Sequence, residues 1–143
     1  MITQFEGSEN FYLSNFFSCD VNIAGIVFPT SEHAFMYFKT LDKAEADEIA
    51  AAGSPSEAKR LGRQCTLRPD WEQIKVAAMS IAVLSKFTQN PELMKRLKAT
   101  GDQHIIEGNW WHDNIWGDCM CDRCEGITGR NLLGQILMET RKV

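Results

Sequence analysis

The sequence predicts a mainly α fold (α+β) with a small antiparallel sheet, and three observations point there. Apolar residues recur at helical spacing over most of the chain beyond residue 31. Strand-like alternation is confined to the first third. The 143 residues match the usual size of one domain, and no repeat, low-complexity tract or Pro/Gly/Ser-rich linker divides them. Residues 1–143 therefore read as a single domain.

The elements follow in order. Val21, Ile23, Ile26 and Phe28 flank Ala24-Gly25, where a glycine able to take positive φ predicts a tight hairpin. From Ser31 the period changes, with Ala34, Phe35, Tyr37, Phe38 and Leu41 at helical spacing and Thr30 or Ser31 as the N-cap. Glu32 and His33 then fall in the first turn. Residues 44–52 are rich in alanine and acid, a strong helix former that Gly53 ends. Ser54-Pro55 opens another helix, expected to run to about Leu61 and stop before Gly62. Trp71, Ile74, Ala78, Ile81 and Leu84 predict the buried stripe of a long amphipathic helix over 69–87. Asn90-Pro91 starts a further helix carrying Leu93, Met94 and Leu97.

Residues 104–107 read as a short strand, and 131–138 as a last helix burying Leu132, Leu133, Ile136 and Leu137. Between them, 109–126 is aperiodic. A stretch of that length in a compact domain is functional or disordered. Trp110, Trp111 and Trp116 argue for an ordered loop lining a pocket, with at least one indole plugging it onto the core.

The net charge of −4 and pI of about 5.4 leave no overall basic field for nucleic acid. Local basic groups would suit a phosphate-bearing small molecule. The first residues lack a basic start and an apolar core, and apolar runs fall short of the ~20 residues that span a bilayer. Five cysteines, an odd number, read as reduced thiols in a cytoplasmic protein.

Four constellations offer chemistry. Glu32, in Pro29-Thr30-Ser31-Glu32-His33, is a carboxylate at a helix start, where capping competes with catalysis as its explanation. His33 beside it reads more readily as a packed structural histidine. Trp116-Gly117-Asp118 sets an indole for stacking a flat base beside a glycine that permits close approach and a carboxylate. Cys119, Cys121 and Cys124 include one C-x-x-C, but no second pair follows, and Cys-x-Cys is cramped for a tetrahedron. His112 and Cys119 would complete a set only by favourable folding, so no metal is assigned. Residues 126–134 form a glycine-punctuated turn opening a helix, a weak phosphate signal. Lys39, Lys59, Arg60, Arg63, Arg68 and Lys75 are the basic candidates for phosphate.

In order along nearly the whole chain, these segments resemble the YbiA-like, or NADAR, family. The matching pieces are Phe11-Tyr12-Leu13-Ser14-Asn15-Phe16, Pro29 through Phe35 with Lys39, residues 58–63, and Arg68-Pro69-Asp70-Trp71-Glu72 with Met79. They continue with Lys86-Phe87, residues 100–107, Asn114-Ile115-Trp116-Gly117-Asp118, Gly129-Arg130-Asn131-Leu132-Leu133-Gly134, Leu137-Met138 and Arg141. The insert at 119–124 departs from the shortest members.

The resemblance implies a mainly helical fold and an N-glycosidase without cofactor or metal. Its substrate would be a phosphorylated ribosylamino-pyrimidine of riboflavin synthesis or an ADP-ribosylated base. It carries the catalytic role onto Glu32 and implicates Trp71 and Asp118. Asn15, Phe16, His33, Lys39, Arg63, Trp116, Gly117 and Asn131 are the expected substrate contacts, Lys39 and Arg63 for phosphate. Partners would be a small nucleotide-like molecule and ADP-ribosylated nucleic acid. A module that binds ADP-ribose or a nucleotide without cleaving it, and a zinc-dependent interaction domain, are the alternatives.

Overall fold

The computed structural model describes residues 1–143, which gather into two compact units, Asn15–Asn90 and Met1–Ser14 with Pro91–Val143.

In the first unit the hairpin pairs β1 (Val21–Ile23) with β2 (Ile26–Phe28), Val21 opposite Phe28 and Ile23 opposite Ile26. Its two turn residues, Ala24 and Gly25, both have positive φ (53° and 86°), the backbone that matches strand twist in a two-residue turn. Alternation then does its work: Val21 and Phe28 are buried while Val27 faces water. Three short helices follow: α1 (Ser31–Tyr37), α2 (Lys43–Ala50) and α3 (Pro55–Gln64). Each starts on an oxygen that accepts an N–H three residues on: Thr30 for His33, Asp42 for Glu45, Ser54 for Glu57.

Two expectations change here. Gly62 does not stop α3; it lies inside it, because the missing side chain leaves room for Met36. A Cβ at position 62 would overlap the Met36 sulfur and stand 3.1 Å from its Cγ. The long helix is α4 (Trp71–Gln89), but its buried stripe is Trp71, Ala78, Met79, Ala82, Val83, Lys86 and Phe87. Ile81 and Leu84, expected inside, are exposed. The helix is apolar on more than one side, so periodicity alone did not say which stripe would meet β1 and α1. The true stripe includes a lysine, Lys86, whose Nζ lies 5.6 and 5.1 Å from the ring centroids of Phe17 and Phe87. Burial pushes that ammonium down to about 8.

The second unit carries α5 (Pro91–Ala99) and α6 (Leu132–Thr140), with Leu93, Leu97, Leu133 and Leu137 buried. Leu132 and Ile136, expected inside, are half-buried. The strand expected over 104–107 is reduced to one parallel bridge, Ile105 to Ile2. Asn131 takes the place of a sheet partner, its Nδ2 donating to the Ile105 carbonyl (2.9 Å) and its Oδ1 accepting from the Glu107 N–H (3.0 Å). Regular pairing resumes just beyond, where β3 (Gly108–Asn109) runs parallel to β4 (Asp118–Cys119). The fold is mainly α with a small antiparallel sheet, plus this two-residue parallel pair. No helix is long and apolar enough to cross a membrane.

Candidate active site

Glu32 stands second in α1 and is 6% exposed. Two of the N–H groups at this helix start have acceptors other than the carboxylate. The Glu32 N–H donates to the Asn15 carbonyl (3.1 Å) and the His33 N–H to Thr30 Oγ1 (3.1 Å). Capping therefore does not explain why a carboxylate is kept in so buried a place.

Asn15 and His33, both expected to touch substrate, also hold this corner together. Asn15 Oδ1 accepts from Ser31 Oγ (2.8 Å), and its Nδ2 lies 3.3 Å from the Met79 sulfur. His33 is 1% exposed, with Nε2 2.9 Å from the Ala52 carbonyl and Nδ1 2.7 Å from Thr30 Oγ1. A carbonyl only accepts, so Nε2 carries the proton and Nδ1 accepts from the threonine hydroxyl. Burial holds the ring below its ordinary pKa, which fits this neutral tautomer.

Around Glu32 the same unit assembles cations and aromatics. Trp71 packs its ring 5.2 Å from that of Phe35, and Lys39 Nζ lies 6.0 Å from the Trp71 ring centroid. Burial lowers the Lys39 pKa; Cys65 and Glu32 oppose that by their charge, and Arg63 adds to it. These three groups are thus within electrostatic reach of Lys39. Lys59 Nζ sits 5.8 Å from the half-exposed ring of Phe16.

Other basic candidates are occupied. Arg68 grips Asp70 through Nε and Nη2 (2.6 and 3.1 Å), Lys75 pairs with Glu72, and Arg60 with Glu57. Lys39 and Arg63, like Lys59, enter no salt bridge, which fits them for an anionic ligand.

The remaining expected residues belong to the second unit, in the 109–131 loop. It is ordered, but its indoles do not plug it. Trp110 and Trp111 are exposed and Trp116 is half-buried. The plug is polar: Asn109 is wholly buried, its Nδ2 donating to the Asp113 carbonyl (2.7 Å) and its Oδ1 accepting from the Asp113 N–H (3.1 Å). Sequence reasoning passed Asn109 by; the Asn/Asp density at 109, 113 and 114 was its available signal.

Gly117 permits a close approach as expected, but the atom that approaches is the chain's own Glu107 carbonyl. Asp118 Oδ1 accepts the Gly129 N–H at 2.9 Å, closing the loop. Asn131, at φ 51°, has both ends of its amide engaged with backbone. Of these four, Trp116 and Asp118 are half-buried, while Gly117 and Asn131 are buried parts of the loop's frame.

Comparison with known proteins agrees with this architecture. A family model described as the NADAR domain matches residues 3–143. N-glycosidase YbiA of Escherichia coli (strain K12) is 37% identical over 131 residues, 90% of this chain and 78% of that protein. A riboflavin biosynthesis protein of Vibrio vulnificus (strain YJ016) is 37% identical over 141 residues, which are 96% of this chain but 37% of that longer protein. The NMR structure of E. coli YbiA superposes with a TM-score of 0.86 at 35% identity, covering 99% of this chain and 83% of that one. The chain belongs to the NADAR domain family, and its class of activity is N-glycosidase.

Proposed function

We propose that this N-glycosidase hydrolyses the bond between a phosphorylated ribose and an aminopyrimidine, with Glu32 as the carboxylate at the reacting carbon. The observation that carries the reading is Glu32 itself, 6% exposed on a helix start where its own N–H and that of His33 are taken by Asn15 and Thr30. Cleavage builds positive charge on the ribosyl ring, and a carboxylate in a low-dielectric wall stabilises that charge strongly. The same carboxylate can take a proton from the attacking water. The water oxygen bonds to the anomeric carbon, the C–N bond breaks, and the proton ends on the departing nitrogen.

Lys39 and Arg63 supply the positive charge for the phosphate, and Trp71 a flat wall beside Lys39. Asp118 and Trp116 enter this reading from the family resemblance, as holder of a water or ribose hydroxyl and as base-stacking surface. The riboflavin biosynthesis protein of Vibrio vulnificus supports a pyrimidine of that route as the substrate class. A net charge of −4 favours a small molecule over a nucleic acid as partner.

The test is a substrate screen by chromatography and mass spectrometry. Phosphorylated ribosylamino-pyrimidines should give free ribose phosphate and base. Release only from an ADP-ribosylated guanine nucleoside would move the chain to that branch. Release from neither, with saturable binding retained, would leave a binding module and overturn the proposal.

A further inference from the structure

The 109–131 loop holds a second constellation, in which spacing argued against a metal and the fold supplies what spacing left out. His112, Cys119, Cys121 and Cys124 come together with all four ligand atoms within 4.8 Å of one another. Each arrives from a different piece of local structure. Cys119 ends β4, Cys121 precedes a 3₁₀ turn over Asp122–Cys124, and Cys124 closes that turn. His112 comes from the hairpin-like return that Asn109 pins to Asp113. Its φ of 68° lies in the left-handed region, uncommon for a residue other than glycine. The Cys-x-Cys objection fails because Cys119 and Cys121 straddle the end of a strand, where the chain turns.

The distances fit a tetrahedron. His112 Nδ1 lies 3.2 Å from Cys121 Sγ, 3.4 Å from Cys124 Sγ and 3.8 Å from Cys119 Sγ. Zinc bonded at about 2.3 Å to sulfur and about 2.0–2.1 Å to nitrogen gives N···S edges of about 3.6 Å. Asn114 braces two ligands: its Nδ2 lies 3.5 Å from Cys124 Sγ, and its Oδ1 accepts the Cys119 N–H at 2.9 Å. Such outer partners are what hold metal ligands in place. His112 Nε2 meets the guanidinium of Arg123. With Nδ1 on a metal, Nε2 carries the proton, so the exposed Arg123 side chain turns aside.

We propose that His112, Cys119, Cys121 and Cys124 form a structural zinc site. Three thiolates and one imidazole select a soft, tetrahedral divalent ion. Four protein ligands leave no open position for a reacting water, so the metal organises the loop and takes no part in glycoside cleavage. It clamps the segment that carries Trp116-Gly117-Asp118, since Cys119 directly follows Asp118. The proposal stands independently of the glycosidase reading.

Metal analysis of the full chain, expressed with zinc in the medium and purified without chelator, tests it. The expected result is about one zinc per chain, released when a mercurial titrates the thiols. Cys121→Ser and Cys124→Ser should retain less than about a fifth of that zinc. Should those variants fail to fold, cobalt(II) titration of the metal-stripped native chain replaces them. Thiolate-to-cobalt charge transfer and strong tetrahedral visible bands should saturate at about one cobalt per chain and vanish on adding zinc. Zinc below about a tenth per chain together with a cobalt spectrum lacking thiolate bands would overturn the site. Full zinc retention in folded Cys→Ser variants would overturn it equally.

Discussion

A glutamate in the first turn of a helix normally serves the helix end, and at Glu32 other atoms already do so. Thr30 Oγ1 and the Asn15 carbonyl take the two N–H groups that the carboxylate would otherwise attract. Glu32→Gln keeps the side-chain volume and the backbone bond to Asn15 while removing the charge. It should retain the fold and lower kcat by about 10²- to 10⁴-fold, the range for losing one acid–base group. Near-native turnover in a steady-state assay would dismiss Glu32.

His33, the next residue in the same turn, makes a different prediction. Burial holds its folded pKa below the ordinary 6.5, so the unfolded chain binds the proton more readily. Its contribution to stability is complete above pH 6.5 and is lost as pH falls from there toward the lowered folded value. Urea unfolding between pH 7.5 and 5 should therefore show stability falling with acid, and His33→Gln should flatten that slope. An unchanged slope in a folded variant would place the acid sensitivity elsewhere.

Elements in this protein are set by short-range chemistry and then rotated or extended by their neighbours. The caps on α1, α2 and α3 fall where Thr30, Asp42 and Ser54 put them. The end of α3 does not follow its glycine, because Gly62 serves the packing of α3 on α1 through Met36. Gly62→Ala gains about 1 kcal/mol in helix propensity. It loses more by forcing a buried methionine aside, since overpacking a core commonly costs about 1–3 kcal/mol. The net expectation is a loss of about 1 kcal/mol, measured by chemical denaturation. Met36→Ala should relieve it in the double variant; additive losses would show that the two sites do not couple.

The 104–107 segment carries the complementary lesson. It reads as a short strand, yet an asparagine side chain 24 or more residues on takes hydrogen bonds that a neighbouring strand would have taken.

At the scale of the whole molecule, order is reached by two routes. The Asn15–Asn90 unit rests on apolar helix packing, with Ala34, Ala58, Ala82, Val83 and Phe87 almost wholly buried. The 109–131 loop of the other unit has little apolar filling; it rests on Asn109, Asn114, Asn131 and the His112 and cysteine cluster. Stripping metal with a chelator should therefore speed amide exchange across 108–131 and leave α1 to α4 unchanged. Hydrogen-exchange mass spectrometry reads this directly. A uniform increase along the chain would mean that the cluster supports the whole fold; no change would mean that the loop holds without it.

The helices, the hairpin with its Ala24-Gly25 turn and the placement of Glu32 in a first turn were legible in the sequence. Each depends on residues within a few positions of one another, where propensity, capping and turn chemistry act. The resemblance to the NADAR family was legible as well, through short segments in a fixed order. Which stripe of α4 faces inward, why Gly62 continues a helix, and which hydrogen bonds His33, Asn15 and Asn131 make within the frame required the fold. Those outcomes depend on partners tens of residues away, and local periodicity carries no information about them. The metal-ligand cluster belongs with them. One C-x-x-C was visible in the chain, but only a strand end and a left-handed histidine bring the third sulfur and the imidazole to tetrahedral distance.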